Sequence, residues 1–345
     1  MKFSRAVIES IACVPAPIVW TSAEIEEQLA PLYERLKLPQ GRLELMTGIR
    51  ERRFWHPGTQ PSQASALAGE AVLQKSSLPR ESLGWLFHCA VSRDRLEPAT
   101  AAYVHGALGL SPRTGFFDIS NACLGFMNGL TSAAAMVDAG LVDSVLVVSG
   151  ENGGPLVENT LRQLLDPALD RQSIKPFFAN LTIGSGAVAA VVCRDDLAKH
   201  PVARLSAAAA RIDTGANRLC EGHSAAADGL DMRTDSEALL EAGIALARAT
   251  WDDFCAETGG NAATFARVIC HQVGRRHQLR LYEALGLALD KDFSTFETCG
   301  NMGSVSLPYT LACALDENAA RPGDAVALLG IGSGLSCQMT AIHIL

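Results

Sequence analysis

The sequence has no C-x-x-C pair, no unbroken apolar run near the ~18 residues of a spanning helix, and no surplus of basic charge. Each absence narrows the field. The ten cysteines are scattered, several inside apolar runs such as AAVVC and RVIC, as reduced buried thiols are. That sets aside a disulfide framework and points to a reducing, cytoplasmic setting. Glu9 interrupts the one apolar stretch near the N-terminus that a cleavable signal would need. With no spanning run, no passage through a membrane is expected. A net charge of −8 argues against nucleic acid as partner, because phosphate binding needs a basic face. No low-complexity linker divides the 345 residues, so two parts that pack as one body are expected.

What is present is a core-rich chain, 48% apolar and 19% charged. Short runs rich in Val, Ile and Leu (144–150, 186–193, 267–271, 324–332) alternate with longer Ala-rich segments. Buried strands covered by helices, an α/β fold, have this pattern. The segment 235–255 reads as a helix with Asp235 at its N-cap. LTIGSGAVAAVV (181–192) and LGIGSGLSCQM (329–339) suggest a repeat, each an apolar strand followed by a Gly-Ser-Gly turn and a second strand. Chance gives the same similarity, since Gly-Ser-Gly is common. Residues 151–180 read as a loop or helical insertion over a site.

One cysteine has a distinctive setting. FFDIS (116–120) reads as a strand and LGFMNGLTSAAAMVDA (124–139) as a helix that Gly140 ends, so Cys123 falls at a strand-to-helix turn. Free N–H groups and the dipole of a helix N-terminus favour an anion there. They are expected to lower the thiol pKa and to offer donors to an oxyanion. An inert buried thiol at a tight turn is the commoner meaning of such a position.

A nucleophilic thiol needs partners. His271 closes the apolar run RVIC at an expected strand C-terminus, where α/β proteins bind ligands. Asn301 follows FSTFETCG, read as a strand and turn, within CGNMGS. An imidazole N–H and an amide together can hold a negative oxygen. A core histidine and a turn asparagine account for the same positions. His271 and His277 are six apart, a spacing that suits no common metal pair, so no metal is expected. GIGSG (330–334) lacks both the spacing and the following helix of a dinucleotide site.

Five stretches in order, TGIRERR (47–53), SNACLGFMNGL (120–130), HQVGRRH (271–277), GNMGSVSLP (300–308) and GIGSGLSC (330–337), resemble the ketoacyl-ACP synthase III branch of the thiolase superfamily. The resemblance spans nearly the whole chain. It implies a thiolase-like layered fold of two similar five-stranded α/β halves, 1–195 and 196–345, in a homodimer. It also implies a Cys123–His271–Asn301 triad, an oxyanion hole from the backbone N–H groups of Cys123 and Ser333, and no cofactor beyond acyl-CoA or acyl-ACP as substrate. Within the branch, HQVGRRH and RLEPATAA (95–102) look like the acyl-CoA condensing enzymes of bacterial olefin biosynthesis, the OleA type. Glu97 stands where fatty-acid initiators carry an apolar aromatic that reaches the partner subunit. The initiators' adenine-stacking tryptophan is absent, and Arg42 lies near that position.

The activity implied is Claisen condensation of two fatty acyl-CoAs through a Cys123 acyl-enzyme, with Glu97 from the partner subunit as the base and burial expected to raise its pKa. The 3-oxoacyl product would pass to downstream processing enzymes. Three alternatives differ in acceptor or role. One is decarboxylative condensation with malonyl-ACP, and another is acyl transfer to a hydroxyl or amine, which Asn301 argues against. The third is a non-enzymatic partner subunit, which the presence of Cys123 argues against.

Overall fold

A computed structural model of the chain describes residues 1–225 and 229–345. The apolar runs become the inner strands. Ser144–Glu151 is buried along its whole length, and Gly186–Arg194 in all but its last residue, as expected of strands covered on both faces. The sheet has nine strands. In spatial order they are Gly115–Ile119, Trp85–Cys89, Ser144–Glu151, Gly186–Arg194, Ala6–Pro15, Ala203–Ile212, Ser336–Ile344, Ala325–Gly332 and Arg267–Cys270.

From either edge inward the pairing runs parallel, then antiparallel, with the two runs meeting at Ala6–Pro15 and Ala203–Ile212. The first run has five strands. The second has four, and its fifth is reduced to a single parallel bridge between Val268 and Asp292. Asp292 instead accepts hydrogen bonds from Tyr282 Oη at 2.7 Å and Gln278 Nε2 at 2.7 Å, which draws the segment toward the helix Arg275–Leu285. We propose the division 1–195 and 196–345 as the reading of this repeated order.

Two helices, Gly125–Asp138 and Ser306–Asp316, fill the space between the two runs. Phe126, Met127 and Leu130 of the first, with Leu307 and Leu311 of the second, share one core with Ile8, Val147, Ile269 and Leu328 of the strands. Helices Pro61–Lys75 and Thr100–Ala107 cover the outer face of the first run, and Ser236–Thr258 that of the second. The layers therefore alternate helix, strand, helix, strand, helix. Small residues make the centre possible: a side chain at Gly129 would collide with Cys89 Sγ. Asp235 caps Ser236–Thr258 by accepting from Ala238 N–H at 3.1 Å, and left-handed Gly259 (φ 68°) ends it.

Two expectations need correction. FSTFETCG follows the bridge at Asp292 and forms a short helix, Phe296–Cys299, in place of a strand. The Gly-Ser-Gly similarity also holds only in its second part. At 332–334 the turn joins Ala325–Gly332 to Ser336–Ile344, whereas the turn at 184–186 follows a 3₁₀ segment, Lys175–Thr182. In the first half the insertion 152–185 occupies the place of that hairpin. Its helix Gly154–Leu164 and its 3₁₀ segment bury Val157, Leu161, Phe177 and Leu181 against Ile25, Leu29 and Leu32 of the N-terminal helices.

Candidate active site

Both central helices begin at the same end of the molecule. The turn before Gly125–Asp138 carries Cys123, and the turn before Ser306–Asp316 carries Asn301. The strand Arg267–Cys270 ends beside them at His271, whose N–H is held by Leu329 O at 2.8 Å. All three residues line one cavity of about 2100 Å³, together with Gly332 and Ser333 of the C-terminal turn. Four of the five residues singled out in the sequence thus come together. The fifth, Glu97, is exposed and does not line its own chain's cavity, although Arg95 and Leu96 beside it do.

The turn that presents Cys123 is strained. Ala122 has φ 45°, a left-handed conformation that costs a residue with a Cβ about 1–3 kcal/mol. The C-terminal turn packs directly on Cys123. A Cβ at Gly332 would lie 3.3 Å from Cys123 N, and one at Gly330 would lie 2.5 Å from Leu124 Cδ2. Glycine at both positions lets the turn carrying Ser333 approach the start of the helix closely.

The electrostatics differ from the expectation. Burial pushes the Cys123 thiol up to about 12, and the nearby Glu151 carboxylate adds to the effect. The helix N-terminus does not offset enclosure at the foot of a deep cavity, where a thiolate has little water around it. Burial, with His277 adding to it, pulls His271 down to about 4, so its imidazole is neutral and can accept a proton. The resting pair is therefore thiol and neutral imidazole. The alkylation rate of Cys123 by iodoacetamide should rise about tenfold per pH unit from about pH 7 to about pH 10. A plateau near neutrality would indicate a preformed thiolate–imidazolium pair.

Asn301 has a fixed orientation. Its Oδ1 accepts from Gly303 N–H at 3.0 Å, which leaves the amide N–H groups to donate toward the cavity. Its backbone is anchored by Asn301 N–H to Thr182 O at 2.8 Å and by Gly184 N–H to Asn301 O at 2.9 Å. His271 Nδ1 is buried without a protein partner, and the other ring nitrogen is the one open to the cavity.

Around this centre the cavity has two characters. The helix Ser236–Thr258 contributes an apolar wall of Leu239, Leu240, Ile244 and Ala247. Arg42, Arg171, Lys175 and Arg276 also line the cavity, the last three exposed at the surface. Arg42 lies over the Phe178 ring, 6.0 Å from its centroid. Sequence reasoning missed Glu151. It closes the buried strand Ser144–Glu151, is 5% exposed, and faces the cavity behind Cys123. A lone carboxylate closing an otherwise uncharged strand was its only sequence signal. Among the described residues, no group of three or more His, Cys, Asp or Glu side chains could hold a metal ion, and no helix is long and apolar enough to cross a membrane.

Known proteins resemble this chain in sequence and fold. Residues 117–209 match the family model for 3-oxoacyl-ACP synthase III, and residues 255–344 match its C-terminal model. The acyl-CoA:acyl-CoA alkyltransferase of Shewanella oneidensis is 39% identical, with 99% of each chain covered. That of Xanthomonas campestris is 36% identical, also over 99% of each chain. A crystal structure of Xanthomonas campestris OleA with bound lauric acid and lauroyl-CoA superposes with a TM-score of 0.94 at 35% identity, covering 99% of both chains. A glutamate-to-glutamine variant of the same protein gives 0.95 at 36% identity, covering 99% of this chain and 98% of that one. The chain belongs to the 3-oxoacyl-ACP synthase III family of thiolase-fold enzymes, in the branch of the acyl-CoA:acyl-CoA alkyltransferases.

Proposed function

We propose that the protein joins two fatty acyl-CoAs into a 3-oxoacyl product by a non-decarboxylative Claisen condensation. The observation that carries this reading is one deep cavity in which Cys123, His271 and Asn301 meet beneath an apolar wall, on a chain 39% identical to an acyl-CoA:acyl-CoA alkyltransferase.

In the first half-reaction Cys123 attacks the thioester carbonyl and gives its proton to neutral His271. Backbone N–H groups of Cys123 and Ser333 hold the oxyanion, a contribution of about 10²–10³ in rate for one such donor. The carbon–sulfur bond to CoA breaks, and the imidazolium protonates the departing thiolate. The acyl chain remains on Cys123 and runs along the wall of Leu239, Leu240 and Ala247. In the second half-reaction another acyl-CoA seats its carbonyl oxygen against His271 and the Asn301 amide. Glu97 of a second copy removes its α-proton, and the carbanion attacks the acyl-enzyme. Cys123 leaves as thiolate and regains the proton taken by Glu97.

A homodimer is part of this proposal. The edge strand Gly115–Ile119 leaves Phe116 41% and Phe117 38% exposed, and Leu96, beside Glu97, is 91% exposed. A second copy on this edge covers that apolar surface and provides a route for Glu97 into the neighbouring cavity. We propose acyl-CoA for both substrates, since the basic residues that line the cavity suit a phosphate-bearing carrier. A cytoplasmic location and a downstream enzyme that consumes the 3-oxoacyl product belong to the same proposal.

The test is incubation with myristoyl-CoA as sole substrate. The expected outcome is one CoA thiol released per 3-oxoacyl-CoA formed, with a second released only as water hydrolyses that product's thioester to the 3-oxo acid, which can then decarboxylate to a ketone. Strict dependence on malonyl-ACP would overturn the reading. Chain length should follow the apolar wall: Ala247→Phe should lower kcat/KM for myristoyl-CoA by about tenfold or more while sparing octanoyl-CoA. Unchanged selectivity would mean that the acyl chain runs elsewhere.

A further inference from the structure

The Glu151 carboxylate lies between two loops that the proposed reaction uses in different places. Its Oε1 accepts from Val91 N–H at 2.8 Å and its Oε2 from Ser92 N–H at 2.9 Å. These two residues open the segment 90–99 that carries Glu97. The same Oε1 lies 2.7 Å from Ser304 Oγ and 3.3 Å from Ser304 N. Ser304 follows Gly303, whose N–H fixes the Asn301 amide. Left-handed Gly303 (φ 57°) passes so close that a Cβ there would lie 3.1 Å from Glu151 Oε1. The main chain of Glu151 is held in turn by Trp55 Nε1, which donates to its carbonyl at 3.0 Å. Four donors thus converge on one buried side chain, two from each loop.

The segment 90–99 is also pinned beyond Glu151. Asp94 accepts from Ser62 N–H at 2.9 Å. Asp118 accepts from Thr100 N–H and Ala101 N–H, both at 2.8 Å, where the helix Thr100–Ala107 begins. Between these anchors Arg95, Leu96, Glu97 and Pro98 project into solvent. The segment is an arm fixed at its base with a free tip.

We propose that Glu151 is a positioning residue for the second half-reaction at two sites at once. It sets the Asn301 loop that holds the enolate oxygen in its own cavity. It also sets the arm that delivers Glu97 to the neighbouring subunit's cavity. The inference rests on the proposal that Glu97 acts from the partner. No contact of Glu151 serves the acylation step, so its loss divides the two half-reactions. In Glu151→Gln the amide presents N–H groups to donors, and at least one loop loses its acceptor.

Two measurements test this. In Glu151→Gln, Cys123 acylation by myristoyl-CoA, followed by intact mass, should hold or rise, because a negative charge beside the thiol is gone. Condensation should fall by about 10²-fold, the scale of a small misplacement of reacting groups. An equal fall in both would mean a merely structural role and would overturn the proposal.

The second measurement uses mixed dimers, isolated through two affinity tags, of a Cys123→Ser protomer with a Glu97→Gln protomer. They keep one intact site, with Cys123 from one protomer and Glu97 from the other. If this parent pair condenses no substrate, the partner-donated base is wrong, and the trans half of the proposal falls with it. If the parent pair is active, Glu151→Gln is added to the Cys123→Ser protomer, which supplies only the arm. A fall of about tenfold or more supports the action in trans, and unchanged activity refutes it.

Discussion

Cys123→Ser eliminates both the acyl-enzyme and the 3-oxo product, with turnover falling by at least about 10⁴-fold, the scale on which triad enzymes lose rate when the reacting group is removed. The reason lies in the depth of the site. Enclosure already pushes the Cys123 thiol up to about 12, and a hydroxyl in the same place is harder still to ionise. Neutral His271 can relay a thiol's proton during attack but is too weak a base to activate the hydroxyl comparably. Intact mass spectrometry after incubation with myristoyl-CoA reads the result. An adduct of the same stoichiometry on another residue of this variant would remove Cys123 from the mechanism.

Glu97→Gln separates the two halves of the reaction. Acylation of Cys123 should proceed at the wild-type rate, because no step before the second thioester uses the carboxylate. Condensation should fall by about 10²–10⁴-fold, the usual worth of a positioned general base. The acyl-enzyme then accumulates, and deuterium at the α-carbon of unreacted acyl-CoA is retained. Full-rate condensation by this variant would show that the α-proton leaves by another route.

The sequence exposed the parts of the molecule that rest on local pattern. Cys123 was legible because a strand, a turn and a helix follow one another within about 25 residues, and the helix N-terminus has a known chemistry. His271 stood out as the polar end of an apolar run. Asp235 and the helix it caps were readable for similar local reasons. What escaped depends on distant segments meeting. Glu151 matters because Val91, 60 residues earlier, and Ser304, 153 residues later, converge on it. The reduced fifth strand of the second half follows from the competing attraction of Asp292 to Tyr282 and Gln278. The thiol's pKa was misjudged because the helix terminus is a local feature, whereas the enclosing cavity is assembled from both halves of the chain. Glu97 is exposed on one chain, so its proposed burial waits on the second copy.

A pulse and chase tests the central claim most directly. The protein is acylated with myristoyl-CoA, freed of excess substrate, and challenged with lauroyl-CoA. The adduct on Cys123 should disappear as one 3-oxo product containing both chains joined by a new carbon–carbon bond appears. Release of the adduct as free myristic acid, or its persistence until malonyl-ACP is added, would contradict the account.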